Sequence, residues 1–288
     1  MFERLKRLRE NALVERRPIA DADWAALVEE LRVLDHLDAV ERTALRRLAT
    51  LFARRKTFVG THGLEVSEYM KAAVAVQACL PILHLGLDYY RDLRTVVLYP
   101  GAFVADREYE DEIGVVHEGV EELDGESMEG GPLALSWDEV DPAREDVTTN
   151  VVVHECAHKL DELTGATNGL PPLHRGMSVE AWAAAFTHAY AHFGAAVEAL
   201  EAEDSDAPLV VDDYAATDPA EFFAVMSEAF FATPAEVARE YPEVYAQLAL
   251  FYRQDPARST RLGAGARPAS PEAGRVPGPS STRPDRQS

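Results

Sequence analysis

The sequence predicts an α+β fold: helical stretches toward both ends, a small mixed sheet between them, and a disordered tail. Three observations carry this. From Asp21 to about Leu51 the chain is rich in Ala, Leu, Glu and Arg, with apolar residues three and four apart, the helical period, and a second helical run begins at Ser67. From Thr95 the texture changes to short β-branched and apolar runs cut by Pro, Gly and acidic residues, which are strand and turn signals. Helical spacing resumes at Val147, and after Arg261 the composition collapses to Gly, Ala, Pro, Ser and Arg. The expected organisation is an N-terminal helical region over 1–94 packed on the core, a catalytic region over 95–260, and a disordered tail over 261–288.

The elements follow in order. DADWAALVEELRVL opens with Asp21 as a helix-cap candidate, and DAVERTALRRLATLFARR continues the helical region. A second run, SEYMKAAVAVQACLPIL, starts at Ser67, a plausible cap. TVVLYPGAFV (95–104) reads as a strand that turns at Pro100–Gly101 into another. Further short strands are expected at Gly114–Val120 and Leu133–Trp137, separated by the polar turn DGESMEGG. Helices are placed at Val147–Leu163, Val179–Glu201 and Pro219–Ala232, with a last helical stretch interrupted near Pro242.

Composition narrows the functions. The 288 residues are 47% hydrophobic and 8% aromatic, enough to bury a sizeable core. A formal charge of -22, from 28 basic and 50 acidic residues, argues against nucleic acid and anionic membrane partners. Cys79 and Cys156 make no disulfide framework, and MFERLKRLRE has no apolar core behind it, so the reading is cytoplasmic. The apolar stretch Ala72–Leu87 is interrupted by Gln77, Pro81 and His84, and is better read as a buried helix and its turn than as a membrane span.

The informative segment is TTNVVVHECAHKLDELTG. Thr148, Thr149 or Asn150 can cap a helix that Gly165 ends in a left-handed turn. On that helix His154 and His158 are four apart, so both imidazoles leave one face about a turn apart, as two ligands of one zinc ion must. Glu155 lies within about 60° of His158 on the helical wheel, placed to activate a water without displacing it. Cys156 points some 160–200° away and reads as core packing. Asp161 faces the same way as His158, either as an acceptor behind it or as a polar residue at the helix end.

A catalytic zinc needs a third protein ligand and one open position. Among His174, Glu180, His188, His192, Glu221 and Glu228, the pair His188 and His192 falls opposite the apolar stripe of Trp182, Phe186, Tyr190, Phe193, Val197 and Leu200, and so faces solvent. Glu221 and Glu228 sit seven apart on one face of the apolar segment DPAEFFAVMSEAFF, where bare carboxylates are costly. Asp218, Pro219 and Glu221 also fit a capping box, a structural reason for Glu221 that Glu228 lacks. Physical reasoning leaves the ligand role open between the two.

HECAHKLD, followed by DDYAATDPAEFFAVMSEAFF and FYRQDP, resembles the Mlc titration factor A family of bacterial zinc metallopeptidases, and LEVSEYMKAAVAVQACL and VLYPGAFV are similar too. The resemblance runs from about Phe58 to Pro256. It implies a zincin-like fold of gluzincin type, similar to the catalytic domain of anthrax lethal factor. It implies Glu221 as third metal ligand beside His154 and His158, Glu155 as general base, and Tyr214 as a hydrogen-bond donor to the developing oxyanion. It further implies a zinc-dependent, aminopeptidase-like activity on peptides, and a transcriptional repressor of the Mlc type as partner, through which sugar uptake is regulated. No residue here identifies the repressor surface, and the Pro-rich tail and the Ala/Glu-rich stretch before Leu209 depart from the family pattern. The strand Leu133–Trp137 is the expected edge for pairing with an extended peptide. The rival expectation is a non-catalytic, zinc-stabilised repressor-binding protein, whose metal would be closed by four protein ligands.

Overall fold

The computed structural model describes residues 2–101, 103–110, 116–123, 125–127, 131–144, 149–203, 205 and 207–258. The expected tail and the first residues of the expected helix at Val147 lie outside these.

The chain begins with α1 (Phe2–Arg16), α2 (Asp21–Glu30) and α3 (Ala39–Arg55). Asp38 caps α3 through a capping box with Glu41, and Leu45, Ala49, Phe52 and Ala53 form its buried stripe. The expected cap of α2 is corrected: Asp21 is already inside the helix, Ala20 holds the cap position with no side-chain bond, and Asp21 pairs with Arg46 instead. After β1 (Thr57–Gly60), Ser67 caps α4 (Glu68–Cys79) by accepting the Met70 N–H. Met70 and every residue from Ala72 to Cys79 are buried, and the turn after α4 stays buried through Ile82. Helix plus turn accounts for the longest apolar stretch.

Next come β2 (Thr95–Tyr99), β3 (Phe103–Glu110), β4 (Val116–Leu123), β5 (Gly125–Ser127) and β6 (Leu133–Ser136). One sheet has the order β1-β2-β6-β5, and β3 pairs with β4 in a separate hairpin. β1, β2 and β6 run parallel, with α4 as the crossover between the first two, and β5 lies antiparallel to β6. The expectation that Leu133–Trp137 is a sheet edge is corrected here. β6 is flanked on both sides, with Val97 opposite Ala134 in β2 and Glu126 opposite Ala134 in β5, and all four of its residues are buried. Trp137 has left the strand and opens α5 (Trp137–Val140). The edges of this sheet are β1 and β5.

The rest is helical: α6 (Val151–Asp161), α7 (Val179–Ala202), α8 (Pro219–Ala232), α9 (Pro234–Glu240) and α10 (Pro242–Tyr252). The fold is mostly helical with a small, largely parallel sheet. α8 is apolar nearly all round, as a core helix is, and its Phe222 and Phe223 pack against Trp182, Phe186 and Phe193 of α7 and Phe251 of α10. The N-terminal Leu27, Leu45 and Phe52 belong to the same hydrophobic cluster as these aromatics. Among the described residues no helix is long and apolar enough to cross a membrane. The functional consequence lies where α6 packs against α8.

Candidate metal centre

Asn150 starts α6 by accepting the Val153 N–H at 3.0 Å, and buried Val152, Val153, Ala157 and Leu160 fix which way the helix faces. That orientation turns His154 and His158 toward α8. α8 starts at Asp218, whose Oδ1 accepts the N–H groups of Ala220 and Glu221, with Pro219 in the first turn. Only half of the expected capping box is made. Glu221 turns its carboxylate away from the cap to the histidines.

Three ligand-type atoms meet. The Nε2 atoms of His154 and His158 are 3.3 Å apart, and Glu221 Oε2 lies 3.2 Å from each. Among the described residues these three side chains are the group that could hold a metal ion. The triangle has the size such an ion demands. A tetrahedral zinc with bonds of about 2.0–2.1 Å separates its ligands by about 3.3–3.4 Å. The donors suit a borderline-soft divalent cation, and each side chain is only 12–14% exposed, so charge here is poorly solvated without a counter-ion.

Glu155 supplies a second sign of fit. It is 5% exposed, and its Oε2 is buried with no hydrogen-bond partner. Burial raises its pKa, and the neighbouring His154 and His158 pull it back. A buried carboxylate oxygen left unpaired beside three converging ligands is placed to take a proton from a reactant. Burial also raises the His154-side cost of charge, but the carboxylates of Glu221 and Glu228 outweigh it and push the His154 pKa up to about 10. Burial acts on Glu221 in the opposite sense to its hydrogen bonds from His154 and His158, and those bonds hold its carboxyl far below the usual range.

The remaining candidates fall into place around this centre. Tyr214 lies in a 3-10 turn (Asp213–Ala216) just before α8, its N–H bound to Asp212 Oδ1 at 2.9 Å. Its ring centroid is 6.3 Å from that of His154, and the side chain is 38% exposed rather than packed into the core. Glu228 Oε2 lies 3.3 Å from His154 Nδ1, on the side of the ring away from the triangle. Asp161 is buried and its Oδ2 accepts the Gly169 N–H at 2.7 Å, which ties the following loop to α6. His188 and His192 are exposed on α7. His174 bonds the Phe251 carbonyl at 2.7 Å, and Glu180 takes the Ser178 hydroxyl. Cys156 is buried, its thiol pushed up to about 12 by burial, which suits packing and not ligation. A cavity of about 740 Å³ opens behind this corner, with Glu228, Asp212, Asp213, Val197, Leu200 and Val225 in its wall.

Sequence reasoning missed how Glu228 and Asn150 are joined. Glu228 Oε1 accepts the Asn150 N–H, and the Asn150 amide donates to Gln77 Oε1 at 2.9 Å. Gln77, the polar residue within the apolar run Ala72–Cys79 of α4, was the available signal.

Residues 5–253 match the model of the family described as glucose-regulated metallo-peptidase M90. The chain is 35% identical over 237 residues to Mlc titration factor A of Klebsiella pneumoniae subsp. pneumoniae, covering 82% of this chain and 88% of that protein. It is 36% identical over 236 residues to Mlc titration factor A of Enterobacter sp., covering 81% and 86%. For Mlc titration factor A of Salmonella arizonae the figures are 37% over 247 residues, 84% and 95%.

Proposed function

The chain belongs to the glucose-regulated metallo-peptidase M90 family, and from that membership we propose a zinc-dependent, aminopeptidase-like peptidase in which His154, His158 and Glu221 hold the metal and Glu155 is the general base. The observation that carries the reading is the triangle of 3.2, 3.2 and 3.3 Å with the unpaired Glu155 oxygen beside it. Zinc in such a site supplies a Lewis acid for the scissile carbonyl and lowers the pKa of a water toward about 7.

The side chains do the rest. Glu221 stays ionised, and its charge with the two imidazoles leaves one corner of the site for reactants. Glu155 Oε2 accepts the proton of the attacking water and delivers it to the leaving amine. Burial keeps this carboxylate basic enough to do both. Tyr214, beside His154 and partly exposed, donates to the oxyanion as the carbonyl becomes tetrahedral. An extended peptide pairs along β5, the sheet edge against which α6 packs. The carboxylates of Asp212 and Asp213 beside Tyr214 favour a cationic amino terminus there. Free, buried Cys79 and Cys156 support a reducing, cytoplasmic setting.

Glu155→Gln tests the chemistry. The variant is expected to bind one zinc per chain as wild type does, and to lose about 10²–10⁴-fold in turnover of aminoacyl-amide substrates. Wild-type turnover in that variant refutes the mechanism. The name of the relatives, Mlc titration factor A, favours a second reading for this chain, the sequestering of a repressor of the Mlc type. Retention of purified Mlc-type repressor on immobilised chain supports it, and passage through the column removes it.

A further inference from the structure

Resting on the metal reading above, we infer that Glu228 is a positioning residue that fixes the ring proton of His154, and that α8 thereby supplies both a ligand and the residue that orients another ligand. His154 has two ring nitrogens with opposite duties. Nε2 faces His158 and Glu221 and must offer a lone pair to a metal, so the proton of the neutral ring has to sit on Nδ1. Nδ1 faces Glu228 Oε2 at 3.3 Å, and an ionised carboxylate can only accept. The carboxylate therefore holds the tautomer in which Nε2 is free, and it fixes the plane of the ring.

Glu228 is itself held. Its Oε1 accepts the backbone N–H of Asn150 at the start of α6, where the helix dipole favours a negative charge. Behind Asn150 stands Gln77, 3% exposed, whose amide nitrogen donates to the Ala73 and Val140 carbonyls at 3.2 Å each. The ring of His154 is thus referenced through Glu228, Asn150 and Gln77 to α4 and to the end of α5. The seven-residue spacing of Glu221 and Glu228 on α8 places one carboxylate on each side of the same imidazole.

Glu228→Gln separates this role from a merely structural one. A glutamine has one acceptor oxygen where the site has two donors, and the Asn150 N–H, fixed in the backbone, claims it. The amide N–H₂ then faces His154 Nδ1, drives the proton to Nε2, and blocks the ligand nitrogen. The expected result, read by competition with a chromophoric chelator on the full chain, is a zinc affinity about 10–100-fold below wild type. The metal-free variant should show the far-UV circular dichroism of metal-free wild type, with a melting point lowered only by the loss of the carboxylate facing His154. Equal zinc affinity in variant and wild type overturns the inference. If the variant does not fold, the zinc-loaded wild type decides by nitrogen-edited proton NMR. A slowly exchanging His154 Nδ1 proton supports the inference, and one that exchanges as freely as an exposed histidine's overturns it. A wild type that takes up no zinc overturns the metal reading as well, which distinguishes the two failures.

Discussion

His154 touches Glu221 through Nε2 and Glu228 through Nδ1, and a proton on Nε2 is the one a metal must displace. Without metal its pKa is pushed up to about 10, because two carboxylates outweigh a burial that alone would lower it. A raised histidine stabilises the fold fully below its ordinary value near 6.5, and that contribution fades as pH climbs toward about 10. Glu221, held below its ordinary 4.5, contributes above that value and loses its contribution on acidification. The metal-free pair is therefore strongest between about pH 4.5 and 6.5. Zinc binding runs the other way, since it needs the ring nitrogen deprotonated. The difference in melting temperature between zinc-loaded and chelated protein should widen from pH 6.5 to 10. Calorimetry that finds a flat difference contradicts the assignment of His154. Truncation supplies a second check at this scale. Glu221→Ala should weaken zinc binding more than Glu228→Ala, as chelator competition would read, and the reverse order moves the third ligand to Glu228.

At the scale of elements, the site is a contact between α6 and α8, and its precision depends on how the start of α8 is seated. Gly169 does this seating. It takes φ +76°, gives its N–H to Asp161 at the end of α6, and accepts the indole N–H of Trp182 on α7. A Cβ there would stand 2.5 Å from the Pro219 carbonyl oxygen, inside the first turn of α8. Gly169→Ala combines a left-handed backbone with that overlap and is expected to lower stability by about 2 kcal/mol or more. Denaturant unfolding measures it, and a change within about 0.5 kcal/mol contradicts the packing described. Sequence was a good guide where the signal is local. Ser67, Asn150 and Asp218 cap the helices that their positions suggest, and Pro219–Ala232 has the expected ends. It failed where the answer depends on neighbours. β6 reads like any short apolar strand, and only its pairing with β2 on one side and β5 on the other shows it to be internal. In the structure all four of its residues are buried, without the alternation of a half-exposed strand.

Over the whole molecule, charge and site point to the same kind of substrate. Residues 61–260 hold 38 acidic against 10 basic residues, so the part of the chain that carries the site is far more negative than the rest. Such a field draws in cations and repels anions, and salt screens it. For cationic peptides kcat/KM should fall several-fold between about 0.05 and 0.5 M salt, while for acidic peptides it should hold or rise. Equal salt dependence for both removes steering from the account. The pairing of His154 with His158 was legible because four residues make one helical turn. The choice of Glu221 over Glu228 as the residue nearest both Nε2 atoms was not, because seven residues put both carboxylates on one face and only the packing of α8 on α6 says which side of the imidazole each one meets.

The most direct test is an anomalous-diffraction map at the zinc edge from crystals of the zinc-loaded chain. The account predicts one peak about 2.0–2.2 Å from His154 Nε2, His158 Nε2 and a Glu221 oxygen, with no fourth protein side chain in its shell. A peak elsewhere, or one closed by a fourth side chain, contradicts it.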